Sequence, residues 1–257
     1  MTGAVVCDLD GVVYRGSMLI PGSDVALRRL DEAGLPPLFV TNNSARPPGG
    51  VKDKLAEVVG YQATPERIVT SALVAASLIA TGPVLIVGGE GISEAVTGAG
   101  FALTEDPAAA KTVVVGLDRD LSYERVARAA TAVREGAELI VTNRDPTFPT
   151  EGGLLPGAGA CAAAVETAAG SVGITAGKPM PAMRALIEDL VPEGTIWMIG
   201  DRVDTDIALA AGRRWRSVLV MTGVTERADK LEPAPDHVAA DLAEAVNLIL
   251  GAQVDSP

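Results

Sequence analysis

The sequence predicts an α/β fold built on a doubly wound parallel sheet, and two observations carry that prediction. Short apolar runs rich in Val, Ile and Leu recur along the whole chain, alternating with stretches whose apolar residues fall at helical spacing. Most of these runs stop at a Gly-rich or polar cluster, as when Ala4-Val5-Val6-Cys7 runs into Asp8-Leu9-Asp10-Gly11. A run without polar alternation reads as a strand covered on both faces, the condition of parallel sheets. The polar clusters then fall at the C-terminal strand ends, where open α/β sheets hold their ligands.

The elements follow in order. After the opening strand, Pro21-Gly22-Ser23 starts a helix with Ser23 as its expected N-cap, Ala26, Leu27 and Leu30 as its apolar face, and Gly34 as its stop. Pro37–Val40 is a second buried strand, running into Thr41-Asn42-Asn43-Ser44. A helix from about Gly50 to Val59 carries Val51, Leu55 and Val58, and Ile68–Ser71 leads into an Ala-rich helix at 72–80. A second strand–helix series follows: strands at Val84–Val87, Thr112–Gly116 and Leu139–Thr142, with a helix after Gly91 and a longer one over Ser122–Arg134. Ser122-Tyr123-Glu124-Arg125 fails as a capping box, because Arg125 stands where an acid or amide is needed. Asn143–Pro156, rich in Pro, Gly and Thr, reads as a loop, and Ala160–Ala169 as a small-residue helix. A third series has helices at Pro181–Leu190, Ile207–Ala211 and Leu242–Leu250, with strands at Thr195–Ile199 and Ser217–Met221.

Bulk properties narrow the function classes. The chain has 257 residues, enough for one large or two modest domains, and is 48% hydrophobic with 3% aromatic residues, so its core is aliphatic. A formal net charge of −12 disfavours nucleic acid and anionic membranes as partners. Cys7 and Cys161 lie far apart with no metal spacing, consistent with reduced buried thiols. No secretory signal and no long apolar span are evident, so a cytoplasmic protein is expected.

Taken alone, Asp8 and Asp10 fit the cap of a turn as well as they fit a ligand. The other strand ends shift the balance. They carry Thr41-Asn42-Asn43, Lys178 and Asp201 with Thr205-Asp206. Carboxylates in an oxygen-rich surround favour a hard cation such as Mg²⁺, and the lack of a His or Cys cluster disfavours zinc. A Lys and amide donors beside that cation suit a phosphate. A carboxylate can also accept a phosphoryl group covalently.

Together these residues resemble the haloacid dehalogenase (HAD) superfamily, in its NagD-like, 4-nitrophenylphosphatase-like branch. The resemblance rests on Asp8-Leu9-Asp10-Gly11-Val12, Thr41-Asn42-Asn43-Ser44, Gly177-Lys178-Pro179 and Gly200-Asp201-Arg202-Val203-Asp204-Thr205-Asp206-Ile207, four motifs in the family's order over almost the whole chain. It implies a Mg²⁺-dependent phosphatase of small phosphomonoesters. Asp8 is then the nucleophile and a metal ligand. Asp10 is the acid/base, with its backbone carbonyl on the metal, and Asp201 is the third ligand. Thr41, Asn42 and Asn43 hold the phosphoryl group, Lys178 neutralises charge, and Asp206 supports the metal waters or the Lys. Asp204 is expected only to start a helix.

The family places an α/β cap between its second and third motifs. The expected organisation is a Rossmann-like HAD core at 1–71 and 176–257 with an inserted cap at 72–175, and relatives that often dimerise through that cap imply a homodimer. Arg144-Asp145 falls in the cap loop that faces substrate, where family members often carry Pro or another small residue at position 144. Arg144 is therefore a candidate contact to a polar leaving group, with Asp145 beside it. That favours a small polyol or organic-acid phosphate, within an expected substrate class of glycerol 3-phosphate, phosphoglycolate, sugar phosphates and similar phosphomonoesters. The alternatives are a nucleotide or pyridoxal phosphate phosphatase, or a non-catalytic binder of phosphorylated metabolites. A dehalogenase would lack Asp10, and a binder need not retain both acids.

Several features read as structural. Gly89–Glu94 fails as a dinucleotide fingerprint because Glu94 replaces the required Gly or Ala. His237, the sole His, is expected in a structural or surface role, Trp197 in the core, and Trp215 partly exposed between Arg214 and Arg216.

Overall fold

The computed structural model describes residues 3–150, 153–212, 214–225 and 231–254. They form two compact units, one made of the chain up to Thr41, Val51–Val69 and the chain from Arg184 on, the other of Asn42–Gly50 and Thr70–Met183.

The first unit holds a six-stranded sheet in the order His237–Ala239, Trp215–Val220, Ile196–Gly200, Ala4–Cys7, Leu38–Thr41, Ile68–Thr70. The opening strand lies between parallel neighbours, with Cys7 opposite Ile199 on one side and Phe39 on the other. All four of its residues are buried, as the unalternating apolar run requires. Helices Ser23–Glu32 and Leu242–Val254 close over a core that includes Leu27, Leu30, Phe39, Leu55, Ile199, Val220, Val246 and Ile249.

Two expectations change here. Ser23 is not the N-cap. Gly22, in the left-handed region at φ 84°, takes that place, and the buried Ser23 hydroxyl donates instead to Val13 O and Ile20 O. Trp215 is buried, not partly exposed, because it opens a central strand, and its indole N–H donates to Glu188 Oε1 at 2.7 Å. That bond holds the Glu188 carboxyl below its usual range.

The second unit holds a four-stranded parallel sheet in the order Ile174–Thr175, Glu138–Val141, Thr112–Val115, Val84–Val87. Helices Tyr123–Arg134 and Ala158–Ala169 pack together through Ala129, Ala132, Cys161, Ala162 and Val165, small residues that let the two backbones approach. Although the capping box fails, Ser122 still caps its helix, its Oγ accepting from Arg125 N at 3.3 Å. The stretch expected as a loop contains an antiparallel ribbon, Thr147–Thr150 against Gly153–Pro156, with Phe148 opposite Leu155. A two-stranded ribbon tolerates Pro because most of its backbone groups face no further strand.

Both cysteines are free and buried. Among the described residues no helix is long and apolar enough to cross a membrane.

Candidate active site

In the first unit, carboxylates collect at adjacent strand ends. Asp8 follows the strand Ala4–Cys7 and continues its ladder, its N–H donating to Ile199 O at 2.9 Å. Asp201 follows the neighbouring strand Ile196–Gly200, and Asp206 lies on the π-helical turn Val203–Ile207 just beyond it. All three acids are buried, and each offers an oxygen within 4.8 Å of the others. Asp204, in the same turn, is exposed and pairs with Arg202 at 2.8 Å.

Main chain lies close against Asp201 and Asp206. A Cβ on Gly200 would strike the Asp206 side chain, and a Cβ on either Gly11 or Gly223 would strike the Asp201 carboxylate. Gly11 also sits at φ +90°, which side-chain-bearing residues rarely adopt. Val224 N donates to Asp201 Oδ2 at 2.6 Å, and Arg202 N donates to Asp206 Oδ2 at 3.1 Å. The turn after Asp10 is stitched to the same wall: Thr222 Oγ1 donates to Gly11 O at 2.7 Å, and Arg15 Nε donates to Thr222 O at 2.7 Å.

Three buried carboxylates this close repel one another strongly unless a cation offsets them. The donor set is all hard oxygen, with no His or Cys among it, and it fits a divalent cation of the Mg²⁺ or Ca²⁺ kind. The Asp10 carboxylate does not belong to this group. Its Oδ1 lies 3.7 Å from Lys54 Nζ. Thr41 is buried at the end of strand Leu38–Thr41.

In the second unit, Asn42 is a hub. Its Oδ1 accepts from Lys178 N at 2.8 Å, while its Nδ2 donates to Lys178 O at 3.3 Å and to Asp145 Oδ2 at 3.2 Å. Its backbone carbonyl accepts from Ser71 Oγ and from Asn143 Nδ2, both at 2.6 Å. Asn143 Oδ1 in turn accepts from Asp145 N at 3.0 Å. Asn43 shapes the following turn by accepting from Ala45 N at 2.9 Å. Lys178 is buried beside Gly177, where a Cβ would run into Asn42 Oδ1.

Arg144 and its neighbour Asp145 diverge. The Arg144 guanidinium forks onto Glu166, with Nη1 to Oε2 at 3.0 Å and Nη2 to Oε1 at 2.8 Å. It also donates to Thr175 Oγ1 at 2.7 Å and to Gly173 O at 3.1 Å. This pairing holds the Glu166 carboxyl below its usual range and pushes the guanidinium further up. The structure therefore groups Asp8, Asp201 and Asp206 in one unit and Asn42, Asp145 and Lys178 in the other, and it engages Arg144 in bracing a helix and a strand.

Sequence reasoning passed over Thr222-Gly223-Val224, Asn143 and Lys54. The first had a signal, since it ends the strand Trp215–Val220 as the other motifs end theirs. Lys54, one of several charged residues along a helix, had none.

Comparison with known proteins gives this arrangement a family. Residues 5–102 match the family model described as haloacid dehalogenase-like hydrolase, and residues 175–245 match a second, described as HAD-hydrolase-like. The acid sugar phosphatase of Staphylococcus saprophyticus is 37% identical over 251 residues, covering 95% of this chain and 96% of that protein. The p-nitrophenyl phosphatase from Archaeoglobus fulgidus superposes with a TM-score of 0.87 at 29% identity, over 95% of this chain and 98% of that one. The glycerol phosphate phosphatase of Mycobacterium tuberculosis, solved in complex with magnesium, superposes with a TM-score of 0.84 at 37% identity, over 94% of this chain and 75% of that one. The chain belongs to the haloacid dehalogenase-like hydrolases. Within them it is a phosphoric monoester hydrolase of the NagD-like, 4-nitrophenylphosphatase-like branch.

Proposed function

We propose that the enzyme hydrolyses small phosphomonoesters, such as glycerol 3-phosphate, phosphoglycolate and sugar phosphates, with Mg²⁺ and through an aspartyl-phosphate intermediate. The observation that carries this reading is the buried cluster Asp8, Asp201 and Asp206 at the ends of a parallel sheet. The relatives named for acid sugar and glycerol phosphate support the substrate class. Arg144 no longer does, because its guanidinium is bound to Glu166.

Asp8, Asp201 and the Asp10 carbonyl would hold the cation, with Asp206 supporting them. A bound Mg²⁺ supplies positive charge against these carboxylates and against the phosphoryl oxygens. In the first step an Asp8 carboxylate oxygen attacks phosphorus. The bond from phosphorus to the alcohol oxygen breaks, and Asp10 gives that oxygen its proton. In the second step Asp10 takes a proton from water as the water oxygen bonds to phosphorus. The Asp8–phosphoryl bond breaks, releasing inorganic phosphate and restoring the Asp8 carboxylate. Thr41 and the N–H groups that follow it at Asn42 and Asn43 hold the transferring group, and Lys178 balances its charge. Asn42, Asn143 and Asp145 fix the backbone that carries Lys178. The core comprises 1–71 and 176–257 in this reading, and 72–175 caps it and selects among substrates.

Phosphate release from 4-nitrophenyl phosphate and a panel of metabolite phosphates, with and without Mg²⁺, tests the proposal. Turnover that depends on Mg²⁺ and favours small polyol, sugar or organic-acid phosphates is expected. Folded protein that turns over none of them, or does so equally well in a chelator, overturns it.

A further inference from the structure

One cation in the first unit has no place in the chemistry above. Lys54 closes the helix Pro48–Lys54, and the next residue begins the π-helical turn Leu55–Val59. Such wide turns displace side chains from the regular helical register and are frequent at functional sites. Leu55, fully buried, anchors this one in the core.

The Lys54 side chain is only 17% exposed. Its Nζ stands 3.5 Å above the centroid of the Tyr14 ring and 3.7 Å from Asp10 Oδ1. Tyr14 is itself rigidly placed. It is buried, pairs with Leu19 in a short ribbon, and bridges back to Asp10, with its carbonyl accepting from Gly11 N at 2.8 Å. The ammonium thus rests on the face of a fixed aromatic ring, a favourable seat for a cation. From there it attracts one chosen oxygen of Asp10. At this ion-pair distance the attraction favours the carboxylate rotation that keeps Oδ1 on the Lys54 side.

We propose that Lys54 is a positioning residue for the reaction, favouring the orientation of the Asp10 carboxyl group from which, carrying its proton, it protonates the departing alcohol and is left as a carboxylate facing the ammonium. The proposal rests on the reading of Asp10 as the acid/base, and the test separates the two. An alkyl alcohol needs that proton to leave, whereas 4-nitrophenolate leaves without it. A residue that only supports the fold affects both substrates alike.

We therefore compare kcat/KM for glycerol 3-phosphate and 4-nitrophenyl phosphate in Lys54→Met, Lys54→Arg and Asp10→Asn. Lys54→Met is expected to lose about 10-fold on glycerol 3-phosphate and less than about 2-fold on 4-nitrophenyl phosphate, a share of the ~10²–10⁴-fold expected of the acid/base itself. Lys54→Arg, which keeps a cation able to sit on an aromatic face, should recover most of that loss. Selective loss in Asp10→Asn without selective loss in Lys54→Met overturns the role of Lys54 and leaves the acid/base reading standing. Equal loss on both substrates in Asp10→Asn overturns that reading and the proposal with it.

Discussion

The Asp201 and Asp206 carboxylates each accept a backbone N–H beside a glycine whose Cβ would strike them, whereas Asn42, Asp145 and Lys178 are tied together through the Asn42 side chain. In the first cluster, backbone N–H groups donate to the Asp201 and Asp206 carboxylates, and bare glycines lie against both. In the second, one asparagine side chain bridges a backbone segment and a carboxylate, and its own carbonyl takes two more donors. The difference predicts two kinds of failure. A site fixed by backbone breaks when any atom is added beside it. A site fixed by a side-chain network breaks when any member is removed, and its losses do not add.

The largest expected effect tests whether the first cluster is the chemical one. Asp8→Asn keeps the shape and removes the carboxylate proposed as nucleophile, so phosphate release should fall to background at every substrate concentration. A wild-type rate would rule out the covalent route.

Next comes the backbone itself. Gly223→Ala places a methyl group against the Asp201 carboxylate. We expect ~10–10²-fold lower kcat/KM and a higher Mg²⁺ requirement, the scale typical of disturbing the support of a metal ligand. Titration of activity with Mg²⁺ reads both effects, and unchanged activation would show that the glycine at 223 does not set the Asp201 carboxylate.

The side-chain network gives a smaller, mainly structural effect. Asn42→Ala strips partners from Lys178 N and from Asp145, at a cost of roughly 2–3 kcal/mol of stability. Denaturant unfolding of Asn42→Ala, Asp145→Ala and the double variant measures it. Strictly additive losses would argue against a network.

The smallest expected effect concerns Arg144, whose side chain is 42% exposed. Arg144→Ala should cost about 1 kcal/mol or less, as befits a partly solvated pair. Its pH signature is specific. The Glu166 carboxyl is held low, so its contribution is fully present above the unfolded carboxyl pKa and fades as pH falls through the lower folded one. The wild type should therefore lose more stability on acidification than Arg144→Ala does. Parallel curves would show that the pair contributes nothing, and a changed substrate preference in Arg144→Ala would return the residue to the leaving group.

The fold was largely legible because parallel sheets advertise themselves as unalternating apolar runs, and the carboxylates were legible because strand ends are marked by polar residues after such runs. What escaped depended on tertiary partners. Ser23 looked like a cap, yet its hydroxyl is bonded to Val13 and Ile20, and the left-handed Gly22 does the capping. Trp215, flanked by arginines, gave no hint of its bond to Glu188 across 27 positions. The ribbon at 147–156 was hidden by Pro and Gly, which ordinarily mark loops. Lys54 was invisible because nothing local distinguishes a lysine seated on a buried ring from a solvated one.

The glycines behind Asp201 bear on how this enzyme could diverge. Since neither Gly11 nor Gly223 can acquire a side chain without displacing that carboxylate, the rear of the cluster is closed to gradual variation. Point mutation has no intermediate sizes to try there. Selection for activity would therefore oppose any side chain at these two positions, and variation would meet less resistance where no carboxylate lies against the backbone.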